Sequence, residues 1–130
     1  MALAFELPMR EILGLFLDRG DQVFSSRALP KGAVSRLIDL TRSVMGPKYD
    51  GMALREALTE YLGDAKLGKA LHHVVIPSVN VTRSHTKVFK TPHGPASKGD
   101  ERVLAVDVAM ATSAAPAYFP SVEINGELFA

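Results

Sequence analysis

Residues 74–81 read Val-Val-Ile-Pro-Ser-Val-Asn-Val, a nearly continuous β-branched run that decides the fold class. β-Branched side chains fit the pleated surface of a strand, and a run this apolar is typical of a strand covered on both faces. Pro77 removes one backbone donor from its ladder. Because a buried strand needs neighbours, a second strand is predicted over 86–91. Helix-like segments precede both strands, so the sequence predicts a mixed α/β fold.

Three amphipathic helices are predicted before these strands. The first follows Pro8 and is expected to end at Gly20, a residue that often closes helices. Its apolar stripe recurs at three- and four-residue spacing and consists of Met9, Ile12, Leu13 and Phe16. The second helix is predicted over 33–44, where Gly46-Pro47 ends it. The third is expected to use Asp50 as its N-cap and Gly63 as its end.

The C-terminal part is predicted to contain a surface loop, a short helix and a hairpin. The loop covers 92–102, which is rich in Gly, Pro, Ser and Lys. A small-residue helix over 108–114 is expected to be capped by Asp107. Asn125-Gly126 joins two short alternating runs and is a strong signal for a two-residue hairpin turn, because a type I′ turn needs positive φ at both central positions.

Length and composition limit the function classes. A chain of 130 residues has room for about one domain, and 47% apolar with 22% charged residues indicates a globular protein. The chain has no Cys, which excludes disulfides, a Cys nucleophile and thiolate zinc sites and fits a reducing compartment. No apolar run is long enough to span a bilayer, and the apolar residues 1–5 are not accompanied by the basic n-region of a secretory signal. A cytoplasmic protein is therefore expected.

The basic residues are concentrated in one segment. Residues 65–99 carry six Lys or Arg residues and no acid. They are Lys66, Lys69, Arg83, Lys87, Lys90 and Lys98. One interpretation is a surface that attracts anionic headgroups or phosphates. The other, which the alternation over 87–90 favours, is an exposed edge strand whose lysines discourage aggregation.

Direct motifs for chemistry are missing from the chain. None of the serines lies in the G-x-S-x-G elbow of acyl hydrolases, so each is interpreted as a cap, turn or surface hydroxyl. The adjacent pair His72-His73 has no accompanying carboxylate cluster, which favours a structural or surface role over a metal site. No glycine-rich phosphate loop or aromatic stacking ladder indicates a nucleotide or nucleic-acid ligand. The residues alone therefore assign no catalytic, cofactor or metal ligand.

Residues 111–120, Ala-Thr-Ser-Ala-Ala-Pro-Ala-Tyr-Phe-Pro, resemble the A-T-S-A-A-P-x-Y-F-P run of patatin-like phospholipases, a family of lipid acyl hydrolases. Residues 7–16, Leu-Pro-Met-Arg-Glu-Ile-Leu-Gly-Leu-Phe, resemble the helix after the family's nucleophile elbow. Residues 49–51, Tyr-Asp-Gly, and the run 74–81 resemble the following helix and strand. The resemblance covers about 2–130 and implies a partial three-layer α/β/α domain with a C-terminal β-hairpin.

The resemblance also implies what this chain lacks. The family uses a Ser-Asp dyad, with the serine in G-x-S-x-G, the aspartate in D-G-G or D-G-A, and a glycine-rich turn that supplies oxyanion donors. The elbow would fall before Met1, and the aspartate motif would follow Ala130. We therefore expect the chain to be the middle of a catalytic domain, inactive alone, whose parent acts on a lipid or phospholipid. By the same resemblance, Thr112 and Ser113 are expected either to bond the loop leading to the aspartate or only to pack.

A second hypothesis assigns the chain to another class of protein. In it, a non-enzymatic α/β module binds a partner or an anionic membrane through 65–99, and the resemblance is ancestral only. Peripheral membrane contact is compatible with both hypotheses. A fragment without the first strands of its sheet would expose an unpaired edge, so self-association is also expected.

Overall fold

The computed structural model describes residues 1–24, 47–92 and 99–130. Three helices lie in these ranges: α1 (Met9–Val23), α2 (Met52–Leu62) and α3 (Ala105–Ser113). They accompany four strands, β1 (Val75–Asn80), β2 (His85–Lys90), β3 (Val122–Ile124) and β4 (Glu127–Phe129), and two short 3₁₀ turns, Ala2–Phe5 and Leu67–Lys69. The mixed α/β prediction is confirmed. The predicted helix over 33–44 and most of the loop at 92–102 lie outside the described residues.

Helix α1 begins where predicted but ends later. Pro8 is its N-cap, and the helix continues through Gly20 to Val23. The prediction that Gly20 ends the helix is therefore wrong. The backbone N–H of Phe24 donates to the Gly20 carbonyl at 2.9 Å, and the last turn buries Val23. Burying a valine stabilises by about 1.5 kcal/mol or more, which offsets the cost of about 1 kcal/mol for a helical glycine.

Helix α2 ends where predicted, but the prediction that Asp50 is its N-cap is wrong. Its N-cap is Gly51, at φ 75°, and the Asp50 carboxylate accepts the backbone N–H of Met52 at 2.9 Å. Asp50 thus satisfies a free helical donor from one position before the cap. Gly63, at φ 53°, ends the helix as predicted.

The four strands form one antiparallel sheet in the order β2-β1-β4-β3. Strand β1 pairs with β2 along its whole length, whereas it meets β4 only near the register pair Asn80↔Phe129. The C-terminal hairpin is confirmed, with Asn125 at φ 53° and Gly126 at φ 80° between β3 and β4. Among the described strands, β2 lies at an edge of the sheet, as the alternation over 87–90 predicts.

Strand β1 is covered on one face only. Ser78 and Asn80 are buried, and Ser78 contacts α3, whereas Val75 and Val79 are 60% and 52% exposed. The prediction of cover on both faces is wrong for the described residues, because α3 packs on a single face of β1 and β3. Alternate exposure along an antiparallel strand is the usual result of such one-sided packing.

Helix α3 is the centre of the core and begins earlier than predicted. It starts at Ala105, whose N–H donates to the Ala65 carbonyl at 2.8 Å. Asp107 is not its cap, since its carboxylate accepts a hydrogen bond from Arg55 of α2 at 2.8 Å. The larger buried side chains of this core are Leu62, Leu67, Phe89, Val103, Val106, Val108, Met110, Val122, Ile124 and Phe129.

Candidate functional site

An apolar cavity of about 350 Å³ lies between α1, α2 and the end of α3. Most of its wall comes from aliphatic and aromatic side chains of the two longer helices. The lining includes Leu7, Ile12, Leu15, Phe16, Val23, Leu54, Leu58 and Leu62. Of the apolar stripe predicted on α1, Ile12 and Phe16 line the cavity, whereas Met9 and Leu13 are exposed and lie outside its wall. A cavity of this size falls in the range that holds small-molecule ligands.

Few polar groups reach this cavity. Among its lining residues, Ser113 and Tyr61 carry the side-chain hydroxyls. The Ser113 hydroxyl donates to the Ala109 carbonyl at 2.8 Å within α3, so its proton is already engaged. A ligand held here would gain chiefly from removing apolar surface from water. The cavity therefore suits a hydrocarbon chain better than a polar or charged molecule.

An aromatic cluster closes the cavity at one end. Phe24 and Phe119, both in its lining, are 6.2 Å apart between ring centroids. Tyr49 packs on Phe119 at 5.2 Å, and its backbone N–H donates to the Tyr118 carbonyl at 2.8 Å. Tyr118 is about half exposed and stacks on Tyr49, with 6.5 Å between the ring centroids. The Lys48 ammonium lies 5.4 Å from the centre of the Tyr49 ring. The Tyr-Phe-Pro end of the 111–120 run thus fixes the segment before α2 beside the cavity.

The small residues of the 111–120 run permit close contact between α3 and β1. Ala111 and Ala114 are buried, and the Thr112 hydroxyl donates to the Pro77 carbonyl at 2.8 Å. The Thr112 and Ser113 bonds therefore go to β1 and to α3 itself. Ser78 was interpreted as a cap, turn or surface hydroxyl, and this is wrong, since it is only 6% exposed and its Oγ lies 3.1 Å from the Ala111 oxygen. No local sequence signal marks Ser78, because its partners are distant in sequence.

The basic segment is partly neutralised. Lys87 forms an ion pair with Asp100 at 2.8 Å, and Arg83 pairs with Glu127. Lys98 lies outside the described residues. These pairs weaken the positive potential that an anionic surface would meet.

The adjacent histidines do not converge on one point. The His72 ring lies 2.9 Å from the Glu6 carboxylate, whereas the His73 ring lies 3.5 Å from the Thr91 hydroxyl. In the described part of the chain, His, Asp and Glu form no group of three that could hold a metal ion. Within the same ranges, none of the helices has both the length and the apolar character needed to cross a bilayer.

The whole chain is similar to one protein family. The family model of the patatin-like phospholipases matches residues 1–130. A cGAMP-activated phospholipase of Pseudomonas aeruginosa is 38% identical over 130 residues, which cover 100% of this chain and 37% of that protein. A protein of the same name from Vibrio cholerae is 33% identical over 122 residues, or 92% of this chain and 34% of the relative.

A plant protein shows the same relation. Patatin-like protein 2 of Arabidopsis thaliana is 33% identical over 111 residues, which are 85% of this chain and 26% of that protein. The chain thus spans between about a quarter and just over a third of the length of these curated relatives.

Proposed function

Because this chain belongs to the patatin-like phospholipase family, we propose that it forms the middle of the catalytic domain of a lipid acyl hydrolase. The observation that carries the proposal is the apolar cavity of about 350 Å³, which the end of α3 helps to line. An acyl chain has no hydrogen-bonding groups, so moving it from water to an apolar cavity leaves no polar group without a partner. Relatives named phospholipases support the same substrate class.

In this proposal the reacting groups lie in the segments on either side of the chain. A serine in G-x-S-x-G attacks the ester carbonyl, and an aspartate in D-G-G or D-G-A takes its proton. Backbone N–H groups of a glycine-rich turn hold the oxyanion that develops on the carbonyl oxygen. The alcohol leaves with a proton, and water then releases the fatty acid from the serine.

The contribution of residues 1–130 is to bind and to position. The cavity holds the acyl chain, and the buried Ala111 in α3 and Ala114 just after it keep the scaffold compact beside it. Peripheral contact with a lipid surface belongs to the proposal, since the acyl chain has to leave a bilayer to enter the cavity. The alternative, a non-enzymatic module that binds anionic surfaces through 65–99, has less support, because Arg83 and Lys87 are already paired with carboxylates.

The test uses the full-length protein that carries this segment. Reading the flanking sequence checks for G-x-S-x-G upstream and for D-G-G or D-G-A downstream. We expect a fluorophosphonate probe to label the elbow serine and a fluorogenic phospholipid to be hydrolysed, and we expect replacement of that serine by Ala to abolish both. The 130-residue chain alone is the matched control and should show neither signal. A full-length protein that is neither labelled nor active would contradict the proposal, as would stoichiometric labelling of the 130-residue chain.

A further inference from the structure

The Ser78 hydroxyl lies between two parts of the chain that are far apart in sequence. Its Oγ is 3.1 Å from the carbonyl oxygen of Ala111 in α3 and 3.3 Å from that of Ala130, just beyond β4. A serine hydroxyl has a single proton to donate. It is therefore shared between the two acceptors, and both distances are longer than is usual for an undivided O–H···O bond. Ser78 thus links the small-residue helix to the end of the sheet.

The backbone beside Ser78 fixes the same residue. The N–H of Val79 donates to the Ala130 carbonyl at 2.7 Å, and the N–H of Ala130 donates to the Val79 carbonyl at 2.9 Å. At the next residue of β1, the Asn80 side-chain amide donates to the Glu127 carboxylate at 2.5 Å. Asn80 is 1% exposed, so this bond is shielded from water on its side. The position of Ala130 is therefore set by β1 rather than by its own hairpin alone.

We propose that Ser78 is a positioning residue for the aspartate base. This inference rests on the proposed function, which places the aspartate directly after Ala130. The aspartate has to meet the serine hydroxyl at hydrogen-bond distance, and a misplacement of about 1 Å can cost a factor of about 100 in rate. By donating to both Ala111 and Ala130, Ser78 fixes the end of β4 relative to α3.

Three variants of the full-length protein test this role. Ser78→Ala removes the shared proton, Ser78→Thr restores a hydroxyl on a strand residue, and Thr112→Val is the matched control. Thr112 also joins α3 to β1, through the Pro77 carbonyl, but its hydroxyl does not contact Ala130. Each variant is assayed for kcat, KM and thermal unfolding, and for amide hydrogen exchange at Ala130.

A positioning role predicts that Ser78→Ala and Thr112→Val differ in their effect on kcat. Ser78→Ala should lower kcat about tenfold with KM within about twofold, and it should speed exchange at Ala130. Ser78→Thr should recover kcat to within about threefold, and Thr112→Val should lose stability while its kcat stays within about twofold. Equal losses of kcat in Ser78→Ala and Thr112→Val, or full activity of Ser78→Ala, would overturn this inference but not the proposed function. A full-length protein without any hydrolysis would overturn the proposed function, and this inference with it.

Discussion

Filling the cavity from α1 should shorten the acyl chain that the full-length protein accepts. Gly20 lines the cavity in the last turns of α1, and a Cβ added there would meet no atom of the described residues within 4 Å. Its helical backbone accepts any L side chain, and leucine favours the helix over glycine by about 0.8 kcal/mol. Gly20→Leu therefore inserts a side chain into the cavity without loss of helix stability.

The size of the effect follows from the hydrocarbon displaced. An isobutyl group takes the place of about three methylenes of a bound chain, and each buried methylene contributes about 0.8 kcal/mol. The lost binding is then about 2.4 kcal/mol, which corresponds to about a 60-fold lower kcat/KM for a long-chain ester. A short ester does not reach the displaced part of the cavity, so its kcat/KM should change by less than about twofold. Because this binding is the same in ground and transition states, the loss should fall mainly on KM.

The matched control is Gly14→Leu in the same helix. Gly14 is absent from the cavity wall, and a Cβ added there would meet the Asp18 carboxylate at 3.7 Å, an ordinary contact. Both variants are assayed on p-nitrophenyl butyrate and p-nitrophenyl palmitate. We expect only Gly20→Leu to lose activity on the palmitate. Unchanged palmitate hydrolysis by Gly20→Leu, or equal losses on both esters, would refute the assignment of the acyl chain to this cavity.

Four further outcomes are expected. Gly68→Ala should lower the free energy of unfolding by about 1–3 kcal/mol in urea, because its Cβ would lie 2.7 Å from the Cβ of Glu101. Gly51→Ala should cost about 1–2 kcal/mol in the same assay, since φ is 75° and its Cβ would lie 3.3 Å from the Pro120 ring. Co-sedimentation with anionic vesicles should show weak binding through 65–99 that is lost at high salt, and binding that survives high salt would favour the non-enzymatic module. Light scattering after size exclusion should show self-association of the 130-residue chain, because the outer face of β1 is apolar and exposed, and a monomer with a steep urea transition would contradict this.

Local patterns in the sequence were sufficient for most elements. Helices α1 and α2 and the Asn125-Gly126 turn depend on neighbouring residues, and the structure has them near the predicted bounds, although Met9 and Leu13 of the predicted α1 stripe are exposed. Where a prediction was wrong, a contact between distant residues decided the outcome. Burial of Val23 extends α1 past Gly20, and Arg55 of α2 takes the carboxylate that was expected to cap α3.

For the candidate site too, local sequence patterns predict some features, whereas contacts between distant residues decide the others. The sequence predicts an apolar stripe on α1 but not its contact with α2, whereas the family resemblance implies close packing at the small residues of the 111–120 run. Neither pattern indicates Ser78, which has an ordinary position in a β-branched run. Its role depends on the approach of Ala111 and Ala130, which only the folded chain brings to one point.

The narrow contact between β1 and β4 has a consequence for the order of folding. Each of the two hairpins closes over a short loop, and hairpins of this kind form within about 1–10 μs. The bond between Asn80 and Glu127 instead joins residues 47 positions apart, so its formation carries a larger loop-closure entropy. Contacts of this sequence separation raise the relative contact order and slow folding. We therefore expect the two hairpins to form early and the contact between β1 and β4 to form last. Formation of that contact then limits the folding rate, and the end of β4 is among the final parts of the chain to reach its native position.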